Sequence, residues 1–346
     1  MARAAEVKRG ERFDGFFRIR EIQERQNRFG KPYLDLQLED RTGCLPAKVW
    51  DISDKVVEGP VERGDFVKVR AGAEDFQGAL QLRVERIRRV GDADREAGFR
   101  EEDCVQSTAY DVGLMWEEFR RIAQSCHPLV AALLLSVLDE CAERLRAWPA
   151  ALRIHHPYVG GLLEHTLSVT KTCIYLASKY EVSRDLLVAG AILHDVGKLD
   201  ELSPVAGTHY TPEGRLLGHL VLGRDIVREH ARRLGTVPPE FLLHLEHLIL
   251  SHQGQPEWGT VKVPMTPEAL LLHYADDLDA KLNVLRTALE QDRSDEDFTP
   301  RHPVMHRHFF KLRPLLPPVA PPEPPAAPEG PGGEDGPPAP PPGERL

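Results

Sequence analysis

The sequence predicts a multidomain protein, in which a small all-β barrel is followed by an all-α domain and a disordered, proline-rich tail. Two observations support this division. The first 90 residues hold short runs of alternating apolar and charged positions punctuated by glycine, which is typical of strands and turns. From Asp111 the apolar residues recur at spacings of three and four, which is typical of helices. The expected segments are a barrel, a polar linker, a helical domain and the tail, at 1–92, 93–110, 111–312 and 313–346.

Five candidate strands make up the predicted barrel. They lie in FDGFFRIREI, PYLDLQLED, CLPAKVW, DFVKVRAGAE and ALQLRVERIRRV. Between the third and fourth strands, DISDKVVEGPVERG is long enough for one or two helical turns. Five strands with a short helix after the third is the layout of an OB-fold, a barrel that commonly binds single-stranded nucleic acid. A net charge of +2 over residues 1–92, in a chain of net charge −10, is consistent with that role.

Aromatic and basic residues of the barrel are the candidate contacts to nucleic acid. Aromatic rings could stack on bases, and basic side chains could follow the phosphates. The candidate set is Phe29, Lys31, Tyr33, Lys48, Trp50, Lys68, Arg70 and Phe76. For each aromatic residue, a place in the barrel core is the competing interpretation.

The helical domain contains six long amphipathic segments, and seven or more helices are expected in total. The segments are LVAALLLSVLDECAERL, LLEHTLSVTKTCIYLASKY, RDLLVAGAIL, LLGHLVLGRDIVREHARRL, EFLLHLEHLILSH and PEALLLHYADDLDAKLNVLRTALEQ. After them, residues 314–346 hold 14 of the 29 prolines and cannot pack a core, so we expect disorder there. The tail has two open roles, docking of a partner protein and solubilisation.

Ligand-type residues interrupt the apolar faces of these helices. They are His165, His194, Asp195, His219, His252 and Asp276. A single inward histidine is commonly a hydrogen-bonded core residue, but five apolar helices that each present such a residue indicate a shared cation. Imidazole and carboxylate groups are ligands of borderline and hard divalent ions. Adjacent residues such as His194 and Asp195 differ by about 100° in direction on a helix, so they reach one centre only near a helix end.

The pattern H…HD…D followed by Gly-Lys resembles the HD superfamily of metal-dependent phosphohydrolases. The phrases HHPYVGGLLEHT, YTPEGRLLGH, LILSHQG and LHYADDLDAKLN sharpen the resemblance. Together with an OB-like module, residues 12–312 resemble the YhaM-type 3′→5′ exoribonucleases. That resemblance implies hydrolysis of single-stranded RNA, with single-stranded DNA as a further substrate, to nucleoside 5′-monophosphates.

The resemblance also implies two metal sites. His165, His194, Asp195 and Asp276 would hold a first ion, and Asp195 would bridge to a second ion held by His219 and His252. Asp279 remains a rival to Asp276, since it is three residues further along the same helix. In close relatives a second histidine is expected after SH of SHQG, and Gln253 stands there in this chain. Gln253 has two open roles: a ligand through its amide oxygen, which would bind the second metal more weakly, or an outer partner that orients the metal water by a hydrogen bond. We favour the second role, with His252 as the ligand and Gln253 pointing elsewhere.

The predicted mechanism is two-metal hydrolysis of a phosphodiester, in which Asp195 and Lys198 are catalytic. Lys198 and Arg215 are expected to contact a substrate phosphate, and a surface position is the competing interpretation for Lys198. Two ions are expected, Mn²⁺ by resemblance, while the ligand types leave Fe²⁺, Co²⁺ and Zn²⁺ open. Two rival functions remain: a phosphohydrolase of free nucleotides, and an OB-fold binding factor with a structural HD site.

Composition adds expectations about location and partners. The five cysteines form no CxxC pair, the N-terminus lacks an apolar leader, and no run of about 18 apolar residues occurs. We therefore expect a cytoplasmic protein with no membrane contact. Single-stranded nucleic acid is the expected partner, and a homo-oligomer is one open arrangement.

Overall fold

The computed structural model describes most of the chain. The described residues are 2–76, 79–151, 156, 158–203, 209–292 and 294–312. The predicted proline-rich tail, residues 313–346, lies outside them. The chain divides into two compact units, Met1–Arg293 and a second that begins at Ser294. The barrel and the helical domain both belong to the first unit.

The N-terminal part is a five-stranded barrel with one short additional strand. Its strands are β1 Arg12–Gln26, β2 Pro32–Asp40, β3 Gly43–Val49, β4 Val57–Glu58, β5 Phe66–Phe76 and β6 Ala79–Arg89. The order is β3-β2-β1-β5-β6-β4, and β6 also pairs parallel to β3, which closes the barrel. The predicted OB-like barrel is confirmed, and closure leaves few free strand edges.

Alternation along the strands separates the barrel core from its surface. In β1 the side chains of Phe17 and Ile19 are fully buried, and in β5 those of Val67 and Val69 are as well. The residues between them point outward, because successive side chains of a strand face opposite sides. This period of two explains why the strand positions could be predicted from the sequence.

The connection between β3 and β5, which includes the short strand β4, contains no helix, contrary to the expectation of one or two helical turns. The N–H of Val57 donates to the carbonyl of Ser53 at 2.9 Å, which closes a single turn before β4 begins. Gly59 then adopts φ +79° and Pro60 follows it. A positive φ and a proline both oppose continuation of a helix, so the segment returns to extended structure.

The segment expected as a linker is folded against the barrel over much of its length. It contains helix α1, Asp92–Glu96, and a 3₁₀ turn at Glu101–Cys104. Phe99 is buried, and its ring centre lies 4.9 Å from that of Phe16 and 5.8 Å from that of Phe66. These aromatic contacts fix the start of the connection to the helical domain.

The second part of the first unit is all-α. Its helices are α2 Val112–Gln124, α3 Pro128–Ala147, α4 Gly161–Tyr180, α5 Arg184–Leu193, α6 Lys198–Glu201, α7 Pro212–Leu234, α8 Pro239–Ser251 and α9 Pro267–Gln291. A two-stranded pair, β7 Leu202–Ser203 and β8 His209–Tyr210, connects α6 to α7. Side chains cap several helix starts, with Ser183 before α5 and Thr266 before α9. The predicted all-α domain is confirmed.

The packing of these helices positions the polar residues. Helix α5 is buried from Leu186 to Leu193, and it contacts α4, α8 and α9. It is therefore the central helix, and its C-terminal end lies within the domain core. Among the described residues, no helix is both long and apolar enough to cross a membrane.

In the second unit, the described residues 294–312 form a loop in which the chain reverses direction. The N–H of Thr299 donates to the carbonyl of Phe309 at 2.8 Å, and the rings of Phe298 and Phe310 pack edge to face.

Candidate active site

Six polar residues from five helices or helix ends meet inside the helical domain. They are His165, His194, Asp195, His219, His252 and Asp276. His165, His194 and His252 have no exposed surface, and Asp195 is 2% exposed. Burial of such groups is costly without partners, so their meeting requires an explanation.

The first group of ligand-type atoms surrounds one oxygen of Asp195. His165 Nε2 lies 3.1 Å from Asp276 Oδ1 and 3.4 Å from His194 Nε2. Asp195 Oδ2 lies 3.6 Å from His165 Nε2 and 3.3 Å from His194 Nε2. Two imidazole nitrogens and two carboxylate oxygens at these separations could hold one divalent cation.

A second group surrounds the other oxygen of the same carboxylate. Asp195 Oδ1 lies 3.7 Å from His219 Nε2 and 3.6 Å from His252 Nε2. The two oxygens of Asp195 therefore face two different sets of imidazoles. This arrangement could hold two cations that share Asp195.

The hydrogen bonds of the centre fit cation binding. Asp195 Oδ1 is one of three buried side-chain polar atoms that have no hydrogen-bond partner within the described residues. In His194 and His252, Nδ1 lies 2.8 Å from the carbonyl oxygen three residues earlier, which turns Nε2 toward Asp195. A buried, unsatisfied carboxylate oxygen facing imidazole nitrogens is an environment that a divalent cation would satisfy.

Two further carboxylates orient the remaining two histidines. His165 Nδ1 lies 2.7 Å from Asp279 Oδ2, and His219 Nδ1 lies 3.1 Å from Glu201 Oε1. Such outer partners fix the ring and raise its basicity. Burial opposes a charge on His165, but Asp276 and Asp279 raise its pKa to about 9. A cation bound at Nε2 would replace one proton and leave the Nδ1 proton on the Asp279 side.

The positions of Asp276 and Asp279 differ in a way that bears on their roles. Asp276 lies on the Nε2 side of His165, with the rest of the first group. Asp279 lies on the Nδ1 side, where it accepts a hydrogen bond from Ser168 and faces His156 Nε2 at 3.3 Å. The geometry therefore favours Asp276 as a ligand and Asp279 as an outer partner.

Lys198 lies inside the centre and not on the surface, so the competing interpretation of a surface lysine is wrong. It is 7% exposed, and its Nζ lies 2.6 Å from Asp195 Oδ2. Burial opposes the charge, yet the neighbouring Asp195 keeps the pKa of the Lys198 amine raised. A Cβ on the preceding Gly197 would lie 2.1 Å from the carbonyl oxygen of His219, so glycine permits the close approach of α6 and α7.

A kink in α7 sets the direction of His219. Gly218 has φ +74° and ψ +158°, a conformation open almost only to glycine. The N–H of His219, freed from the helix at this point, donates to Glu201 Oε1 at 3.0 Å. Arg215, expected to contact a phosphate, is exposed in the part of α7 before the kink.

The expectation that Gln253 points away from the centre is wrong. Its amide nitrogen lies 3.4 Å from His252 Nε2 and 3.5 Å from His219 Nε2. The turn after α8 brings the side chain back, and the apolar character of α8 gave no sign of that turn.

A cavity of about 920 Å³ lies between α2, α4 and α9, beside the centre. It reaches Asp279 and His156, but none of the six ligand candidates is among its lining residues. Two of its charged residues pair with each other, since Lys171 Nζ lies 2.7 Å from Glu118 Oε2. The cavity therefore meets the centre through Asp279, the outer partner of His165, and through His156, which faces Asp279.

Five of the eight predicted nucleic-acid contacts lie at the β1–β2 turn and in or beside β2 and β3. Phe29 and Lys31 are in the turn, Tyr33 is in β2, Lys48 is in β3, and Trp50 directly follows β3. The Tyr33 and Trp50 ring centres are 4.7 Å apart, and Lys48 Nζ lies 5.4 Å from the Tyr33 ring. Phe29 is 78% exposed and Trp50 44%, so neither is a core residue.

The other three lie on β5. Lys68 Nζ is 3.6 Å from Asp94, and Arg70 makes paired hydrogen bonds to Asp14. Phe76 is 56% exposed at the end of β5. Strand β1 lies between β5 and β2 in the sheet, so Lys68 and Arg70 are separated from Tyr33 by one intervening strand.

Sequence reasoning missed Glu201 and His156. Glu201 ends α6, three residues after Lys198, and its role depends on the kink at Gly218. His156 lies within HHPYVGGLLEHT, and its Nδ1 faces the Tyr158 hydroxyl at 2.7 Å. The family-like segment HHPYVGGLLEHT could have indicated a role for His156, whereas no sequence pattern indicated a role for Glu201.

Comparison with known proteins first defines the class of the helical domain. Residues 162–281 match the HD domain family. This range includes all six residues that meet at the centre.

Curated relatives then extend the similarity to most of the chain. The 3′-5′ exoribonuclease YhaM of Geobacillus sp. is 36% identical, over 87% of this chain and 92% of the relative. The proteins of the same name from Bacillus licheniformis and Bacillus subtilis are 36% and 34% identical, over 82% and 87% of this chain and 89% and 95% of those relatives. The chain belongs to the YhaM family of 3′-5′ exoribonucleases, which confirms the predicted resemblance and the prediction of an enzyme.

Proposed function

We propose that the protein is a metal-dependent 3′→5′ exoribonuclease that releases nucleoside 5′-monophosphates from single-stranded RNA, and also cuts single-stranded DNA. The observation that carries the proposal is the position of Asp195, whose two oxygens face two sets of imidazoles. Membership of a nuclease family supports the same reaction.

In this proposal two divalent ions share Asp195. His165, His194 and Asp276 complete the first site, and His219 and His252 contribute to the second. When bound, such a pair supplies a water of lowered pKa and neutralises charge on the phosphate. Mn²⁺ suits a site of mixed imidazole and carboxylate ligands, and Fe²⁺, Co²⁺ and Zn²⁺ fit the same ligand types.

Besides the proposed cations, the centre contains a positively charged side chain, that of Lys198. Its amine is buried against Asp195 and remains protonated. If cations took up the charge of Asp195, the amine would be free to donate to a phosphate oxygen of the substrate. Arg215, exposed before the kink in α7, is proposed to contact a phosphate farther along the strand.

The barrel is proposed to hold the strand between successive cuts. The exposed rings of Phe29 and Trp50 offer stacking surfaces, Lys48 Nζ lies 5.4 Å from the Tyr33 ring, and Lys31 is in the same turn as Phe29. A phosphohydrolase of free nucleotides would share the metal centre but would have no use for this surface. The barrel therefore favours a polymeric substrate.

A cytoplasmic location is also proposed. All five cysteines are free thiols, and burial raises the pKa of Cys44, Cys104 and Cys173 to about 12. Reduced, unreactive thiols are usual in that compartment.

The proposal is tested by incubating Mn²⁺-loaded protein with single-stranded RNA and DNA labelled at the 5′ or the 3′ end. Shortening from the 3′ end predicts a ladder with 5′-labelled strands and an immediate mononucleotide with 3′-labelled strands. Internal cleavage, or release of the 5′ nucleotide first, would contradict it. Activity confined to free nucleotides would establish the rival function.

A further inference from the structure

We infer that the side-chain amide of Gln253 is the fourth protein ligand of the second cation. This inference rests on the proposed two-metal function, and it assigns to the second site a neutral oxygen ligand. The consequence is a second ion that is held less tightly than the first and exchanges with the surrounding solution.

The spacing of the atoms around Asp195 Oδ1 carries the inference. The terminal amide of Gln253 lies 3.4 Å from His252 Nε2 and 3.5 Å from His219 Nε2. Asp195 Oδ1 lies 3.6 Å and 3.7 Å from the same two nitrogens. For ligands about 2.1 Å from one cation in a tetrahedron, neighbouring ligand atoms are about 3.4 Å apart.

The hydrogen bonds of the two imidazoles show which amide atom a cation would select. His252 Nδ1 faces a carbonyl oxygen and His219 Nδ1 faces Glu201, so in the neutral rings both Nε2 atoms accept. Without a cation, the amide NH₂ of Gln253 donates to them. With a cation, a half-turn about the last side-chain bond puts the amide oxygen in that place.

The backbone around Gln253 holds it in this direction. Gly254 has φ +77°, and a Cβ there would lie 2.1 Å from the His273 ring. His273 Nδ1 in turn donates to the carbonyl oxygen of His252 at 2.8 Å. The turn that returns Gln253 to the centre is therefore fixed by packing against α9.

The charges of the two sites differ as a result. The first site has Asp276 as a carboxylate of its own, whereas the second has only its share of Asp195. A neutral amide adds no charge, and it binds a borderline ion less strongly than an imidazole does. The second site should therefore fill at higher Mn²⁺ concentration, which makes activity depend on the free Mn²⁺ level.

The test measures Mn²⁺ stoichiometry and both dissociation constants by equilibrium dialysis and elemental analysis, on the full chain. Wild type should bind two ions with separate affinities. Gln253→Ala should leave the first ion unchanged and weaken the second by at least about 10-fold, since even an outer partner of a metal ligand is worth about 10- to 100-fold. Gln255→Ala, an exposed glutamine two residues on, is the matched control and should bind as wild type does.

Two further variants keep the inference falsifiable. Gln253→Glu and Gln253→His retain the reach of the side chain and supply a stronger ligand, so each should tighten the second ion at least about tenfold. Unchanged second-ion affinity in Gln253→Ala, or in both of these variants, would overturn the inference. If the wild-type protein binds two ions but has no exonuclease activity, the proposed function is wrong, whereas the assignment of Gln253 as a ligand still stands.

Discussion

The helical domain and the barrel revealed their functional residues to very different degrees. On the apolar helices, a histidine or aspartate that faces inward has few explanations, and the six candidates lie within a few ångströms of one another. On the barrel, charged residues alternate with apolar ones along the longer strands β1, β2, β5 and β6, whether or not they bind anything. Inward polar residues are therefore informative, and outward charges are not.

The ion pairs of the barrel illustrate the second half of this comparison. Lys48, Lys68 and Arg70 all lie beside carboxylates, of Asp35, Asp94 and Asp14 respectively. The presence of a basic residue in the sequence does not indicate whether a carboxylate already neutralises it in the fold. The exposed aromatic rings of one face are the better guide to where a strand would bind.

The largest expected effect comes from removing the shared carboxylate. Asp195→Ala should lower RNA hydrolysis by more than about 1000-fold, because the paired centre is lost while the barrel is untouched. The change would leave Lys198 buried without its partner, so a second variant, Asp195→Asn with Lys198→Met, keeps the interior neutral. Asp277→Ala, which loses only an ion pair with Lys281, is the control. Near-normal hydrolysis in a folded Asp195 variant would refute the metal mechanism.

A smaller effect is expected from the aromatic face of the barrel. Phe29→Ala and Trp50→Ala should each weaken binding to long strands by roughly 5- to 150-fold, since a base stack is worth about 1–3 kcal/mol. Cleavage of the shortest oligonucleotides should hardly change. Tyr175→Ala, at an exposed tyrosine of the helical domain, is the matched control. Equal losses in all three variants would remove the distinction between the two regions.

The salt dependence of strand binding should show which basic residues of the barrel contact phosphates. Each lost phosphate contact lowers the slope of log affinity against log salt by about 0.7 for a single strand. We expect this change for Lys31→Ala and no change for Lys68→Ala, because Lys68 lies on β5 and is paired with Asp94. Titrations at several salt concentrations measure it. The reverse pattern would move the binding face to β5.

The smallest effect concerns stability of the barrel and its connection. Hydrogen bonds from Arg88 hold the pKa of Asp94 well below its usual range, although burial opposes ionisation. Asp94→Asn should therefore cost about 1–3 kcal/mol in urea unfolding at pH 7. Below about pH 4 the unfolded chain takes up the proton first, so wild type loses this stability and the difference shrinks. Asp92→Asn is the exposed control, and a difference independent of pH would exclude the ionic origin.

Much of the fold could be predicted because apolar residues recur every second position in the strands and every third or fourth position in the helices. Much of the site could be predicted because its candidate ligands interrupt apolar helix faces. The remainder depended on local turns that leave no periodic signal. Gly218 redirects His219 toward Glu201, and Gly254 returns Gln253 to the centre. The side on which Asp279 meets His165 likewise follows from how α9 packs on α4. No single-sequence pattern encodes those directions.

The central claim is that Asp195 joins two cations, and electron paramagnetic resonance of the Mn²⁺-loaded protein tests it most directly. Two ions about 3.5–4 Å apart that share a carboxylate should give the spectrum of a spin-coupled pair. That spectrum should be absent from Asp195→Asn and present in Asp277→Ala. A spectrum of isolated, uncoupled Mn²⁺ in fully loaded wild type would contradict the claim.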